Sequence, residues 1–404
     1  MLSQLALSIK ESPTLKLNET AAILRDKGEP VIHLGGGEPK SRAPLDAIIS
    51  CTALLNTGEV RYTPADGIPA LKKAVIRYTE EHYARAVKPE NVIVSSGAKQ
   101  SIMVALHSIL DSNDEVIFPA PYWVSYPEMV KLAGGVPVIV TPSDGSFEPS
   151  FEDITQAVGP YTKAIVLNSP NNPSGAVYSE ALVAKVVEFC ERKNIWLVMD
   201  DTYNRLVFDG RTPTNAYSYT EKDIEASKLL VVNCVSKMYA MTGFRIGWAV
   251  GNRELIKAMG NIQSQQTSGP AAPSQWAAVG ALNGIQNSIA ALRSTLENQR
   301  NVLVARLEAI PGVKVVKPAG TFYTFPDFSA YEKSSQKLAQ VLLDKVRVVV
   351  VPGKEFGFEG HLRVSFCGAM KEIKEGVERI QWALDPNAPN ELYLGSRKLV
   401  RDAL

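Results

Sequence analysis

The stretch that decides the fold reads Ser-Lys-Met-Tyr-Ala-Met-Thr-Gly-Phe-Arg-Ile-Gly-Trp and spans residues 236–248. Its lysine, Lys237, comes directly after an apolar run, which is an unusual position for an ordinary solvent-exposed lysine. A desolvated lysine amine has a lowered pKa and can form a Schiff base. Arg245 lies between Gly243 and Gly247, where the backbone leaves room for a phosphate to approach the guanidinium. A surface lysine and a structural arginine are the alternative, but the whole motif favours a functional site.

The chain before and after this stretch alternates short β-branched runs with helical patterns. The predicted strands cover residues 92–96, 115–118, 136–140, 164–168, 195–200, 229–236 and 246–250. Helical segments lie between many of them, for example residues 99–110. Several runs are apolar throughout, as in strands that are covered on both faces. The pattern predicts an α/β fold in which a mostly parallel seven-stranded sheet lies between helices.

The pattern changes after about residue 285. A long helical segment at 285–310 is followed by short predicted strands and a last helix at 371–384. These strands cover residues 313–316, 321–325, 346–351 and 361–366. We therefore predict a large domain at 46–288 and a smaller α+β domain built from 1–45 and 289–404. Residues 386–404 extend beyond the last helix and suggest no function.

Composition and charge exclude several classes of protein. Lys and Arg number 43 and Asp and Glu 42, so a net charge of +1 gives no reason to expect nucleic acid or a membrane surface as partner. The four cysteines and four histidines are scattered, which predicts no metal site and favours a reducing compartment. No signal peptide and no apolar run long enough for a bilayer is present, so we expect a cytoplasmic protein.

Three loops that follow predicted strands carry polar or small residues. Gly97, Ala98 and Lys99 open a helix and form either a phosphate cup or an ordinary tight turn. Residues 169–175 read Ser-Pro-Asn-Asn-Pro-Ser-Gly, which is also ordinary turn chemistry. Asp200 can pair with a cationic ring nitrogen or cap a helix. Each signal is weak by itself.

Together with residues 236–248, these loops resemble the class I aminotransferases of fold type I, most closely the bacterial-type aspartate aminotransferases. The matching elements follow the order of the family along nearly the whole chain, at 61–71, 121–126, 168–175, 200–203, 320–323 and 362–366. The resemblance implies the fold of the type I transferases that depend on pyridoxal 5'-phosphate (PLP), with PLP as cofactor. The common Asp-Glu-x-Tyr of the family is here Asp-Asp-Thr-Tyr, and Cys234 stands where some relatives have a phosphate-binding serine.

The resemblance also implies a role for each matching residue. Lys237 holds PLP as a Schiff base and moves the substrate α-proton, while Asp200 pairs with the ring nitrogen. The other implied cofactor ligands are Trp123 on the ring face, Asn172 and Tyr203 at the ring hydroxyl, and Gly97, Ala98, Lys99, Ser236, Arg245 and the neighbouring subunit's Tyr62 at the phosphate. Arg363 clamps the substrate α-carboxylate, and the other substrate-binding residues are Gly37, Lys99, Trp123 and Asn172.

The implied activity is transfer of an amino group from an L-amino acid to a 2-oxo acid. Lys99 favours aspartate or glutamate as donor, with 2-oxoglutarate or oxaloacetate as acceptor, because a lysine at the matching position in a bacterial-type subgroup pairs with the distal carboxylate. Aromatic or other amino acids, or prephenate, remain alternatives, as does a PLP-dependent lyase or synthase on the same fold. A non-catalytic regulator is disfavoured, because no basic extension precedes the domain. If Tyr62 crosses a two-fold interface, the protein is a homodimer.

Overall fold

The computed structural model describes residues 2–11, 13–394 and 397–400. Its strands in chain order are β1 (Ile32–His33), β2 (Val92–Ser95), β3 (Glu115–Pro119), β4 (Val136–Val140), β5 (Thr162–Asn168), β6 (Trp196–Asp200), β7 (Leu229–Cys234), β8 (Gly247–Val250), β9 (Tyr323–Thr324), β10 (Val348–Val349), β11 (Val351–Pro352), β12 (Leu362–Ser365), β13 (Glu391–Leu394) and β14 (Arg397–Val400). Its α-helices are α1 (Gln4–Ser8), α2 (Pro13–Asp26), α3 (Leu45–Thr57), α4 (Pro69–Tyr83), α5 (Ala98–Ile109), α6 (Tyr126–Leu132), α7 (Phe151–Gln156), α8 (Glu180–Lys193), α9 (Val235–Met238), α10 (Arg253–Thr267), α11 (Ala272–Asn283), α12 (Asn287–Glu308), α13 (Ser335–Val346) and α14 (Met370–Leu384).

The central sheet has seven strands in the order β2-β8-β7-β6-β5-β3-β4. Strands β3 to β7 run parallel to one another, whereas β8 is antiparallel to both β2 and β7. The predicted fold, a mostly parallel seven-stranded sheet between helices, is confirmed. Because the parallel strands end at one edge, the residues that follow β5, β6 and β7 come close together in space.

Continuous apolar runs in the sequence arise because both faces of this sheet are covered. In β6, Leu197 and Met199 pack into one hydrophobic core, while Val198 between them packs into the core on the other face. All three side chains are buried. A strand that is solvated on one face would instead alternate apolar and polar residues.

A third hydrophobic core combines the two ends of the chain. Ile32 and Leu34 from the β1 region pack with side chains of α12, α13 and α14. Strand β1 pairs with β10, and β9, β11 and β12 form a separate three-stranded sheet. This packing agrees with a small domain drawn from both termini, and the boundaries 46–288, 1–45 and 289–404 stay a prediction.

Three sequence-based strand boundaries are wrong. The strand predicted at 229–236 ends at Cys234, and the chain turns into α9, which re-aims the backbone at the edge of the sheet. The predicted strand at 346–351 is two strands, because β10 pairs with β1 whereas β11 pairs with β12. Residues 313–316 form only an isolated bridge between Lys314 and Asp327, and Pro318 soon follows, which has no N–H to offer a ladder.

Two further findings concern the described residues. None of their helices is long and apolar enough to cross a membrane. They also contain no group of three or more His, Cys, Asp or Glu side chains that could hold a metal ion.

Candidate active site

A cavity of about 310 Å³ lies at the carboxyl edge of the central sheet. Most of the predicted site residues line it, namely Gly37, Ala98, Lys99, Trp123, Asn172, Asp200, Tyr203, Ser236, Lys237, Arg245 and Arg363. They come from segments more than 300 residues apart. The parallel strands bring Asn168, Asp200 and Cys234 to the same edge, because these residues end β5, β6 and β7.

Lys237 sits in the single turn of α9 that follows β7. Its Nζ donates a hydrogen bond of 2.6 Å to the carbonyl oxygen of Gly37. Burial lowers the pKa of this amine, and the nearby Arg363 and Arg245 lower it further, against the opposing effect of the neighbouring cysteines. A larger fraction of the amine is therefore neutral than in an exposed lysine, which is the form that attacks a carbonyl.

Asp200 is the acidic group of the cavity. Its carboxylate accepts hydrogen bonds from the hydroxyls of Tyr126 and Thr202, both at 2.7 Å. Burial raises the pKa of Asp200, whereas these donors and the nearby Lys237 lower it. With donors on both oxygens and a cation in the cavity, Asp200 is the buried carboxyl best able to carry a negative charge.

Asn172 and Tyr203 occupy the side of the cavity next to β5 and β6. The backbone N–H of Asn172 donates to Asn168 Oδ1 at 2.8 Å, which fixes the loop after β5. The Tyr203 hydroxyl lies 3.4 Å from that of Tyr323. Burial raises the pKa of Tyr203 well above its usual value, so its hydroxyl is a hydrogen-bond donor at neutral pH.

Arg363 presents a buried guanidinium from β12. Its two terminal nitrogens donate to Asn172 Oδ1 at 3.0 Å and to the carbonyl oxygen of Gly35 at 2.9 Å. The guanidinium lies over the rings of Tyr323 and Phe356, with centroid distances of 4.3 and 5.1 Å. Stacked in this way, it offers a planar fork of the kind that binds a carboxylate with two hydrogen bonds.

A cradle for an anion lies where α5 begins. Gly97 has a φ of 90°, and a side chain there would collide with the guanidinium of Arg245. Arg245 also has a positive φ, of 53°, and donates to the carbonyl oxygen of Thr242 at 2.9 Å. With the amides that open α5, the guanidinium and the Ser236 hydroxyl in one place, the donor set fits a phosphate group.

Lys99 projects from the first turn of α5 into the cavity. Its Nζ lies 5.1 Å from the centre of the Trp123 ring. Burial lowers the pKa of Lys99, and the neighbouring Arg245 adds to the effect. Within the described part of the chain no carboxylate forms an ion pair with this ammonium, and the residue as a whole is exposed, so it is an unpaired cation at the wall of the cavity.

Two predicted residues do not line this cavity: Gly97 lies behind it against the Arg245 guanidinium, and Tyr62 lies away from it. The side chain of Tyr62 is 97% exposed. It lines a separate surface groove formed by residues 60–63 and 267–273. Within a single chain, Tyr62 therefore takes no part in the cavity around Lys237.

Several residues of the site were missed by sequence reasoning. Tyr126 ends the motif at 121–126, which predicts no role for it, yet its hydroxyl donates to Asp200. Thr202, a variable position of the family motif, also donates to Asp200. Tyr323 faces both Arg363 and Tyr203. Asn18 of α2 also lines the cavity. Nothing in the sequence pattern of α2 marks this residue.

Comparison with known proteins gives a consistent result. The profile of the family "Aminotransferase class I and II" matches residues 29–380. A probable aspartate/prephenate aminotransferase of Aquifex aeolicus is 39% identical over 93% of this chain and 97% of its own length. The aspartate aminotransferase of Bacillus subtilis is 37% identical over 93% and 96%. The structure of Thermus thermophilus aspartate aminotransferase with maleate is 36% identical, covers 94% of this chain and 99% of its own, and superimposes with a TM-score of 0.89.

Proposed function

We propose that this chain, which belongs to the class I and II aminotransferase family, transfers an amino group from an L-amino acid to a 2-oxo acid with PLP bound in the cavity around Lys237. The observation that carries the proposal is one cavity that joins the half-buried Lys237 amine, the buried Asp200 carboxyl and the stacked Arg363 guanidinium. The relatives are named aminotransferases, which favours amino transfer over the lyase or synthase alternative.

The cofactor fits the donors that surround the cavity. PLP, when bound, supplies an electron-withdrawing ring that stabilises negative charge at the substrate α-carbon. The anion cradle formed by Gly97, Ala98, Lys99, Ser236 and Arg245 would hold its phosphate. Asp200 would hold a proton on the ring nitrogen, since a buried carboxylate stabilises a cation beside it.

The remaining ring contacts come from three side chains. Trp123 would pack against the ring face, while Asn172 and the un-ionised hydroxyl of Tyr203 would donate hydrogen bonds to the ring hydroxyl. These contacts would orient the ring so that Lys237 Nζ reaches the substrate α-carbon. The amine of Lys237 would then move the proton between that carbon and the cofactor C4', a task for which its lowered pKa suits it.

Arg363 would bind the substrate α-carboxylate. Its present partners, Gly35 O and Asn172 Oδ1, are neutral acceptors. A carboxylate makes stronger, charge-assisted hydrogen bonds and so can displace at least one of them. Gly37 lies close to the Tyr323 hydroxyl, which a Cβ at residue 37 would meet at 3.4 Å, an ordinary van der Waals contact.

A dicarboxylic substrate pair is supported by Lys99. Its ammonium has a pKa lowered by its surroundings, has no ion-pair partner among the described residues and lines the cavity near Trp123. The distal carboxylate of aspartate or glutamate, or of oxaloacetate or 2-oxoglutarate, would supply that partner. Relatives are named for aspartate, and the Thermus protein was solved with maleate, which is also a dicarboxylate. Aromatic donors or prephenate are the second candidate, since other relatives are named aspartate/prephenate aminotransferases.

We propose further that the enzyme is a homodimer in which Tyr62 reaches the cofactor phosphate of the partner. Helix α3 exposes apolar side chains at Leu45, Ile48, Ile49 and Leu55, close to the exposed Tyr62 segment. A contiguous exposed apolar surface of this kind is typical of a protein–protein interface.

The four cysteines are free thiols, which agrees with the cytoplasmic location expected from the sequence.

A single-turnover spectral screen tests the activity. Each L-amino acid is added to the PLP-loaded protein without any oxo acid, and the loss of the cofactor band is followed. Aspartate or glutamate should react fastest, and the oxo acid should restore the band. Release of ammonia with pyruvate instead of a restorable band would indicate a lyase and reject the proposal.

A further inference from the structure

A second buried carboxyl, Asp201, lies next to Asp200 and points away from the cavity. Its side chain is fully buried, and Oδ2 accepts one hydrogen bond of 2.9 Å from the Tyr83 hydroxyl. Its other oxygen, Oδ1, has no hydrogen-bond partner in the described structure. No Lys, Arg or His of the described chain forms an ion pair with it. Asp201 thus has one neutral donor and no cation.

The hydrogen-bond directions around Tyr83 are fixed by its neighbours. The side-chain amides of Asn204 and Asn233 both donate to the Tyr83 hydroxyl, at 2.9 and 2.7 Å. Only its own proton remains, and that proton goes to Asp201. The network joins the end of α4, the turn after β6 and strand β7. Asp200 ends β6 directly before that turn, and Lys237 lies on α9 directly after β7, so Asp201 is connected to segments that adjoin both.

Two adjacent buried carboxylates cannot both keep a negative charge without donors or a cation for each. Asp200 has hydroxyl donors from Tyr126 and Thr202 and faces Lys237 across the cavity. Asp201 accepts a hydrogen bond from the Tyr83 hydroxyl alone among the described residues, and it pairs with no cation there. Burial raises the pKa of Asp201 to about 8, the Tyr83 hydrogen bond opposes that rise, and the negative charge of Asp200 adds to it.

We propose that Asp201 is held as a neutral carboxylic acid, and that it acts as a positioning residue which fixes the end of β6 through Tyr83 without placing a second negative charge behind Asp200. The part of this proposal that concerns the cofactor rests on the proposed function, in which Asp200 alone faces the PLP ring nitrogen. The protonation state of Asp201 does not depend on that function.

Infrared spectroscopy at pH 7 tests the protonation state directly. The spectrum of Asp201→Asn is subtracted from that of the unmodified protein, both with PLP and after its removal. A carbonyl band of a protonated carboxylic acid should be lost in the variant, and the band should shift in D₂O. Loss of a carboxylate band without any acid band would overturn the proposal.

Tyr83→Phe provides a second measurement on an otherwise native network. The Tyr83 hydrogen bond lowers the pKa of Asp201. When Tyr83→Phe removes this bond, the pH at which the acid band disappears should therefore rise. A move to lower pH would contradict the assignment. This arm also covers the case in which Asp201→Asn does not fold.

The absence of a second negative charge behind Asp200 is tested by a pH titration of the visible band of the PLP-loaded protein. Asp201→Asn removes no charge if Asp201 is neutral, so the transition pH should stay where it is, whereas Asp200→Asn as control should shift it. A fall of about one pH unit in Asp201→Asn would mean that a nearby negative charge was lost, and would refute the proposal. A protein that binds no PLP would refute the proposed function and leave the infrared result standing.

Discussion

Replacement of Lys99 by alanine should separate charged from uncharged amino donors. The Lys99 ammonium faces the cavity without an ion-pair partner among the described residues, and its nearest aromatic contact is the Trp123 ring at 5.1 Å. Burial lowers the pKa of Lys99, although the residue as a whole is exposed. A distal carboxylate would supply an ion-pair partner to a cation that has none among the described residues.

The magnitude follows from the charges. At about 4 Å and an effective dielectric constant of about 20, two unit charges attract by roughly 4 kcal/mol, and desolvation of the carboxylate removes much of this. A charge-assisted hydrogen bond retains about 1.5–3 kcal/mol. Since about 1.4 kcal/mol corresponds to a factor of ten, Lys99→Ala should lower kcat/KM for aspartate at least about tenfold. The values for alanine and phenylalanine should change far less.

Steady-state assays with the three donors measure this difference. Lys228→Ala is a matched control, because Lys228 also lies over a tryptophan, with its Nζ 4.4 Å from the Trp196 ring, but does not line the cavity. The control should leave all three kcat/KM values unchanged. Equal losses for charged and uncharged donors in Lys99→Ala would mean that Lys99 serves the cofactor phosphate, and the dicarboxylate assignment would be wrong.

Three further outcomes are expected. Borohydride reduction of the PLP-loaded protein should fix the cofactor on Lys237 in peptide mapping, and Lys237→Ala should fold but show no turnover; an adduct on another lysine would reject the assignment. Sedimentation should show a dimer, and the double variant Leu45→Asp/Ile49→Asp should dissociate it. Tyr62→Ala should keep the dimer but weaken PLP binding, and a fully active monomer would contradict the shared site. Arg363→Lys should raise KM for every donor at least about tenfold, since lysine cannot form the two-point contact, and an unchanged KM would remove Arg363 from the carboxylate site.

The sequence predicts those parts of the site that follow from strand ends. The loop that carries Asn172 directly follows one apolar run, Asp200 ends the next, and Lys237 directly follows the one after that. Parallel strands place their carboxyl ends at one edge, so the sequence pattern alone brings these residues together. The exact end of β7 could not be predicted, because Val235 is as apolar as the strand before it and only the turn of α9 separates them.

Pairings between distant segments are what the sequence could not supply. Tyr126 donates to Asp200 across 74 positions of the chain, and Tyr83 donates to Asp201 across 118. Periodicity predicts that such residues are buried, but it does not tell which donor meets which acceptor. Asn18 shows the same limit, since a polar residue in a helix gives no sign that it faces a cavity.

The two sides of the cavity belong to different cores, and this separates chemistry from substrate choice. Asp200 and Lys237 are held by the ladder of the central sheet, whose strands bond to one another along their length. Arg363 instead lies on β12, and its side chain meets the sheet side through its hydrogen bond to Asn172 Oδ1. A single side-chain contact can rearrange at far lower cost than a strand ladder. Changes in the segments around β12 can therefore alter which carboxylate or ring fits beside Arg363 while the Lys237 amine stays in place.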